Sequence, residues 1–429
     1  MDQLSRWIAS RAPLAAWLLV AAVGLAAAGF FHSYFVRSVR DGMNDEYDDI
    51  AVNLVVHGRF SANLDHWDRP TVTRGPVYPI YLAGLFRLCG LRNTRASTPV
   101  DMLLHATAAA LLVAALGRLV APLAALAGGL AFAFWPTTFY YAAKGSSETM
   151  LNLLLATSLL LLVRLRARPH VAPAAVLGAV LALACLTRGS AVILLAIVAV
   201  WALASMRRRR LPARVVLALA IAWAAVMSPW WLRNARVSGA FVPFHTLTWY
   251  NAFHDDVFDH ARQWLAGHGM SRTDWGAVPM ERYPATVERH PPGATYPPML
   301  DAHADLAQER RYREIMLAKF RSPGYLVEKM LRNAVDFWAA SASASRTRVL
   351  LATSVAWLGL FGFGLARAWR DPALRWLVTI CFAAVFLTWA MYLPLLALFR
   401  HSIPTAPFVA AAIGLGLGAR HPRAAVSPR

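Results

Sequence analysis

Apolar residues in this chain gather into long, nearly uninterrupted runs instead of alternating with polar ones. Ten runs approach the ~20 residues, ~17 at the least, that a helix needs to cross a bilayer core: 13–31, 101–120, 122–138, 148–163, 171–187, 189–206, 212–231, 349–366, 373–395 and 402–418. The pattern predicts an all-α polytopic membrane protein with about ten transmembrane helices. Two long polar segments interrupt it, about 32–100 and 232–348, each far longer than an ordinary connection. In the first, Tyr47, Ile50, Ala51, Leu54 and Val55 recur at helical spacing before Gly58, so a helix over 45–57 should lie along the membrane surface. A second short apolar helix is expected after Pro79, from Ile80 to Leu88. In the second segment, Ser322-Pro323 opens a helix over Gly324 to Trp338 that descends to the interface. The reading divides the chain into a transmembrane module 1–231 containing the first outer loop 32–100, an outer loop subdomain 232–348, and C-terminal transmembrane helices 349–429.

Composition agrees. Hydrophobic residues make up 58% and charged residues only 15%, against ~25% in soluble domains. The net charge of +20 would suggest nucleic acid in a soluble protein. Here much of the basic charge sits in short loops: Arg118, Arg164, Arg166 and Arg168, Arg207 to Arg210, and Arg367, Arg370 and Arg375. All of these fall on one side, which places both termini in the cytoplasm and the two long segments outside, in the periplasm of a bacterial inner membrane. Membrane lipids, not nucleic acid, are the implied partners. Cys89, Cys185 and Cys381 are scattered and give neither a disulfide framework nor zinc spacing.

Candidate chemistry gathers at the outer ends of the spans. Asp45-Glu46 follow the first span at the start of a helix. Two readings stay open: helix capping, or a general base held at the bilayer surface. Glu148 opens the fourth span, either as a carboxylate at a helix N-terminus or as an orienting group. Arg188 and Arg233 stand at outer span ends against the positive-inside bias, to bind phosphate or to fix the interface. Lys144 and Arg400 share that level. The run His254, Asp255, Asp256, Asp259 and His260 has metal-compatible spacing, but such polar clusters are more often solvated, so no metal is assigned. The stretch Pro291-Pro292 to Pro297-Pro298 is a stiff loop able to cover a site.

A resemblance now enters. Asp45-Glu46-Tyr47, Ala51-Val52-Asn53-Leu54, Gly58-Arg59-Phe60, Pro70-Thr71 and Arg74-Gly75-Pro76-Val77-Tyr78-Pro79 resemble the first outer loop of GT-C glycosyltransferases. They are most similar to the bacterial protein-mannosyltransferase and aminoarabinose-transferase group. Leu186-Thr187-Arg188, Pro229-Trp230-Trp231-Leu232-Arg233-Asn234, Tyr250-Asn251 and Arg400 with Pro404 and Pro407 fit in the same order relative to the spans. One departure is Thr73, where the aminoarabinose branch has a carboxylate before the basic residue.

The resemblance implies transfer of a sugar from a polyprenyl-phosphate donor to a lipid, glycan or protein acceptor outside the membrane. Direct displacement by one base predicts inversion, and with Thr73 in place of a carboxylate the motif does not support a metal-assisted site. Asp45, with Glu46 second, would be the base. Arg74, Arg400, Lys144 and Arg233 would hold the donor phosphate. Glu148, Tyr78, Tyr250 and Asn251 would orient the acceptor. A secondary transporter would instead place ionisable groups near the bilayer midplane, and a lipid-linked glycan polymerase or ligase would carry its main outer loop late in the chain.

Overall fold

The computed structural model describes residues 3–35, 46–268, 301–339 and 344–419, and these are overwhelmingly helical. A long apolar helix comes first, α1 (Gln3–Phe35). The first long loop supplies α2 (Tyr47–Val56) and α3 (Val77–Cys89). Then follow α4 (Thr94–Leu116), α5 (Pro122–Ala133), α6 (Pro136–Lys144), α7 (Ser147–Ala167), α8 (Val171–Thr187), α9 (Val192–Arg207) and α10 (Ala213–Ser238). The second long loop forms α11 (Thr248–Gly267), α12 (Ala302–Phe320) and α13 (Pro323–Ala339). The chain returns to apolar helices with α14 (Ala344–Trp369), α15 (Arg375–Tyr392) and α16 (Ala406–Gly418). Short 3-10 turns, Gly189–Ala191 and Phe399–Thr405, lead into α9 and α16.

Among the described residues, seven helices are long and apolar enough to cross a membrane, or eight if a bent pair counts as one span. That pair is α5 and α6, bent by 56°. The run read as one span over 122–138 is therefore broken, because Trp135 is extended and Pro136 can only begin a helix there. The apolar stretches Arg11–Ala27 and Val171–Thr187 are shorter, at the ~17-residue limit, and complete the ten expected runs. The protein is a multi-pass, all-α membrane protein.

Local sequence explains the element ends. Along α7, Glu148 lies in the first turn and Arg164 and Arg166 in the last, which complements the helix dipole. Gly239, at φ 68, terminates α10 in the left-handed conformation that glycine adopts without strain. Asp301 caps α12 by accepting from the amides of His303 and Ala304. The second helix of the first long loop begins at Val77, earlier than expected, because Pro79 sits in the first turn, where no intrahelical amide bond is lost. The helix beginning at Pro323 runs as read.

The bundle centres on α16, most of whose residues are buried. Close approach to α14 rests on paired glycines: a Cβ on Gly416 would stand 2.4 Å from the Gly364 Cα. Small residues of this kind let membrane helices pack backbone to backbone. The hairpin of α7 and α8 returns the chain to the end where α7 began. Glu148 and Arg188 therefore share one end of the bundle, opposite Arg164, Arg166 and Arg168.

Candidate active site

The first long loop is pressed onto the end of α8. A Cβ on Gly75 would lie 2.0 Å from the Leu186 carbonyl oxygen, so only glycine permits this contact. The neighbouring Arg74 lays its guanidinium over the Tyr47 ring at 5.3 Å and places its Nε 3.4 Å from Glu46 Oε2. Both side chains of this pair are largely enclosed, 13% and 12% exposed. Glu46 occupies a left-handed backbone conformation, φ 68, unusual for a residue other than glycine. Its carboxylate makes no capping bond to α2. Asp45 lies outside the described residues.

A second pair stands beside the first. Arg188 Nη1 donates to Glu148 Oε1 at 2.7 Å and to Ser147 Oγ at 3.1 Å. Arg400 Nε lies 3.8 Å from the same Glu148 oxygen. The Glu148 side chain is only 4% exposed. Arg188 also feels Tyr47, the ring beneath Arg74, and Arg400, so the groups form one electrostatic neighbourhood. His245 faces this neighbourhood from the turn after α10. Burial and the charges of Arg74 and Arg188 push its pKa down to about 4, which keeps the imidazole neutral. Lys144 is at the edge, 5.5 Å above the Tyr141 ring, which packs on Phe399 next to Arg400.

Arg233 has a different employment from the phosphate contact expected of it. Its Nη1 donates to the Thr71 carbonyl at 2.6 Å and its Nη2 to the Phe60 carbonyl at 3.2 Å. The guanidinium lies over both the Phe60 and Trp230 rings, at 5.0 and 4.9 Å. It ties the first long loop to α10 and uses its donors in doing so. The segment before Arg74 is gripped from the other side by α12: Asp305 Oδ2 accepts from the Thr71 hydroxyl at 2.8 Å and from the Val72 amide at 3.1 Å. Thr73, in the position where the resemblance leads one to expect a carboxylate, shares a hydroxyl–hydroxyl bond of 2.9 Å with Thr71.

The remaining candidates scatter. Tyr78 is buried edge-on against Tyr47, with ring centroids 5.3 Å apart, and its hydroxyl has no hydrogen-bond partner among the described residues. Tyr250 belongs to a hydrophobic cluster of the second long loop with Phe253 and Tyr312. Its amide and that of Trp249 donate to Glu309, at 3.1 and 2.8 Å, which caps α11 from α12. Asn251, in the same turn, donates its amide to the Leu247 carbonyl. Neither is brought to Glu148 by any contact described above.

The acidic run of α11 is taken up by cations. Lys329, fully enclosed, donates to Asp255 Oδ2 at 2.7 Å and Asp256 Oδ1 at 2.8 Å. Arg332 adds a contact to Asp255 at 3.1 Å, and Lys319 one to Asp256 at 2.6 Å. Burial would raise the Asp256 pKa, but Lys329 and its other partners hold it below the usual range. These carboxylates are ion-pair partners, and the described residues hold no group of three or more metal-ligating side chains. The side chains of Asp259 and His260 and the loop Pro291 to Pro298 lie outside the described residues. Asn333 extends the network by donating to the Leu393 and Leu395 carbonyls, at 2.9 and 2.7 Å, in the turn that leads to Arg400.

With this geometry in place, residues 68–232 match the family model of dolichyl-phosphate-mannose-protein mannosyltransferases. The matched stretch is less than half of the chain. Within it lie Arg74, Glu148 and Arg188, whereas Glu46 and Arg400 flank it. No curated protein matches the chain. Solved structures similar to it include ArnT from Cupriavidus metallidurans bound to undecaprenyl phosphate, at 15% identity and a TM-score of 0.43, covering 94% of this chain and 77% of that one. The same protein in the apo state gives 16% identity and a TM-score of 0.40, with the same coverage.

Sequence reasoning under-weighted Arg188 and passed over His245 and Asp305. For Arg188 the signal was the Leu186-Thr187-Arg188 motif at a span end. For the other two there was none, since their partners are distant in the chain.

Proposed function

We propose that the protein transfers a sugar, a hexose or a pentose, from a polyprenyl-phosphate donor to an acceptor on the periplasmic face of a bacterial inner membrane, with both termini cytoplasmic. The observation that carries this reading is the convergence of Arg74, Arg188 and Arg400 on Glu46 and Glu148 at one end of the bundle.

A leaving lipid phosphate develops negative charge, and fixed guanidinium groups in an enclosed site stabilise it more strongly than water does. Arginine suits this task because its planar donors match phosphate oxygens. Arg74 and Arg400 approach from separate loops, Arg188 from the end of α8, and Lys144 stands further out. Arg233 is left to positioning.

The acceptor hydroxyl must give up its proton as it attacks the anomeric carbon, and a carboxylate in reach accepts it. Asp45 and Glu46 are the candidates. Glu46 is paired with Arg74, and a phosphate arriving at Arg74 competes with that carboxylate for the guanidinium. Glu148 stays paired with Arg188 and orients it. Direct displacement by one base inverts the anomeric centre.

The test is turnover of defined polyprenyl-phosphate sugars by the purified protein, with product stereochemistry read by NMR and Asp45→Asn and Glu46→Gln compared. The reading requires an inverted product and a large rate loss in one of the two variants. Retention of configuration, or full rates in both variants, refutes the base assignment.

A further inference from the structure

We propose that Asp305 is a positioning residue for Arg74: from the loop subdomain it fixes the backbone of 71–73 and so sets where the Arg74 guanidinium stands. The proposal rests on the reading of Arg74 as a phosphate-binding group.

The geometry is specific. Asp305 lies on α12, more than two hundred residues along the chain from its partners, and only tertiary packing joins them. Its Oδ2 receives both the Thr71 hydroxyl and the Val72 amide, and the Val72 side chain is fully buried in a small cluster with Val242 and Ala302. Thr71 passes the constraint on, because its hydroxyl oxygen also accepts the Thr73 amide at 3.2 Å. On the opposite side Arg233 holds the Thr71 carbonyl. Immediately downstream, Gly75 is wedged against Leu186. Arg74 is therefore the residue between two fixed points, the Asp305–Arg233 grip and the glycine contact. Its guanidinium must meet Glu46 and Tyr47 from that base. A catalytic cation loses much of its effect when displaced by about 1 Å, so a remote anchor of this kind acts on chemistry without touching substrate.

The backbone has few other ways to be held. Residues 61–76 contain no helix longer than a turn, and the Val72 amide has no ladder partner. An extended segment without secondary structure needs side-chain acceptors for its buried amides, and Asp305 supplies one.

The experiment uses the full chain in nanodiscs, with two readouts. The first is hydrogen exchange in peptides spanning 66–78, compared between wild type, Asp305→Ala and Asp305→Asn. Asp305→Ala should raise exchange in this segment while leaving peptides of α7 and α16 unchanged, and Asp305→Asn, which keeps one acceptor oxygen, should lie between. Unchanged exchange at 66–78 overturns the proposal regardless of what the protein binds. The second is binding of undecaprenyl phosphate to wild type, Asp305→Ala, Arg74→Ala and the double variant. Positioning through Arg74 predicts that each single change weakens binding about tenfold or more and that the double variant is no weaker than Arg74→Ala alone. Losses that multiply overturn the proposal, since they mean Asp305 acts independently of Arg74. If wild type binds no undecaprenyl phosphate while the exchange result holds, the phosphate reading of Arg74 fails and the backbone grip stands.

Discussion

Arg188 donates to Glu148 across 2.7 Å, and the carboxylate that receives it is almost wholly enclosed. The contact joins the end of α8 to the start of α7 and places Arg400 within 3.8 Å of the same oxygen. Two arginines held beside one buried carboxylate make a strongly cationic corner that a third, Arg74, extends through Tyr47.

Breaking this pair from one side strands a buried charge, which costs roughly 3–5 kcal/mol. Arg188→Gln should lower the thermal midpoint of the purified protein markedly. Glu148→Gln should do likewise, because Arg188 and Arg400 then repel each other. The double variant should be less destabilised than the sum of the singles. Additive losses, read from thermal unfolding in one detergent, would mean the two residues do not act as a pair.

Gly75→Ala is expected to be among the most damaging single changes in the first long loop. The new methyl would meet the Leu186 carbonyl at 2.0 Å, and a backbone atom cannot swing aside. The loop must lift from α8, carrying Arg74 with it. Loss of activity should exceed loss of folded protein, measured by size-exclusion yield against turnover. Gly84→Ala, where nothing lies within 4 Å of the added atom, should behave as wild type.

Lys329 of α13 latches onto α11 through Asp255 and Asp256. Lys329→Met removes the buried cation that Asp255 and Asp256 share, leaving Arg332 and Lys319 on two carboxylates with little exposure. A destabilisation of about 3 kcal/mol or more is expected. Because Asn333 of the same helix pins the turn before Arg400, limited proteolysis should show 393–400 exposed early in this variant. Unaltered cleavage kinetics there would show that the network does not reach the turn.

Two acids of α12 give the second long loop a pH signature. Burial pushes Asp305 up to about 6, against the bonds from Val72 and Thr71 and the Arg233 charge, with Asp301 adding to the rise. Burial likewise pushes Glu309 up to about 7, against the amides of Trp249 and Tyr250. Unfolded, both groups release their protons near pH 4. Folding therefore takes up protons between about pH 4 and 7, and their stabilising contribution is complete below about pH 4 and is lost as pH rises through 6 to 7. Asp305→Asn and Glu309→Gln cannot ionise, so the thermal midpoint between pH 5 and 8 should be flatter in the double variant than in wild type. An equal slope would contradict the shifts.

Much of the fold was legible because hydrophobic run length is a local property. The first-loop helices, the proline-started α13 and the ten apolar stretches follow from residues within one window. The break at Trp135-Pro136 was missed because the apolar pattern continues through it while proline interrupts the helix. The site was legible only in part. Glu148 and Arg400 could be nominated from their place at span ends, and Arg74 from the first-loop motif of the resemblance. What each touches depends on packing between distant segments, so the choice between Arg188 and Arg233 and the role of Asp305 were beyond local pattern. The acidic run at 254–260 reads as a solvated cluster in the sequence because the cations that pair with Asp255 and Asp256, namely Lys319, Lys329 and Arg332, lie on other helices.

The central claim is that the arginine corner holds the phosphate of a lipid-linked sugar donor. Its most direct test is consumption of a panel of polyprenyl-phosphate pentoses and hexoses by purified wild type, Arg74→Ala, Arg188→Ala and Arg400→Ala. Arg87→Ala, an exposed arginine of α3, serves as the control. The account predicts that wild type consumes at least one donor, that each corner variant loses on the order of 100-fold in rate, and that the control does not. A wild type that consumes none of them, or corner variants as active as the control, would contradict it.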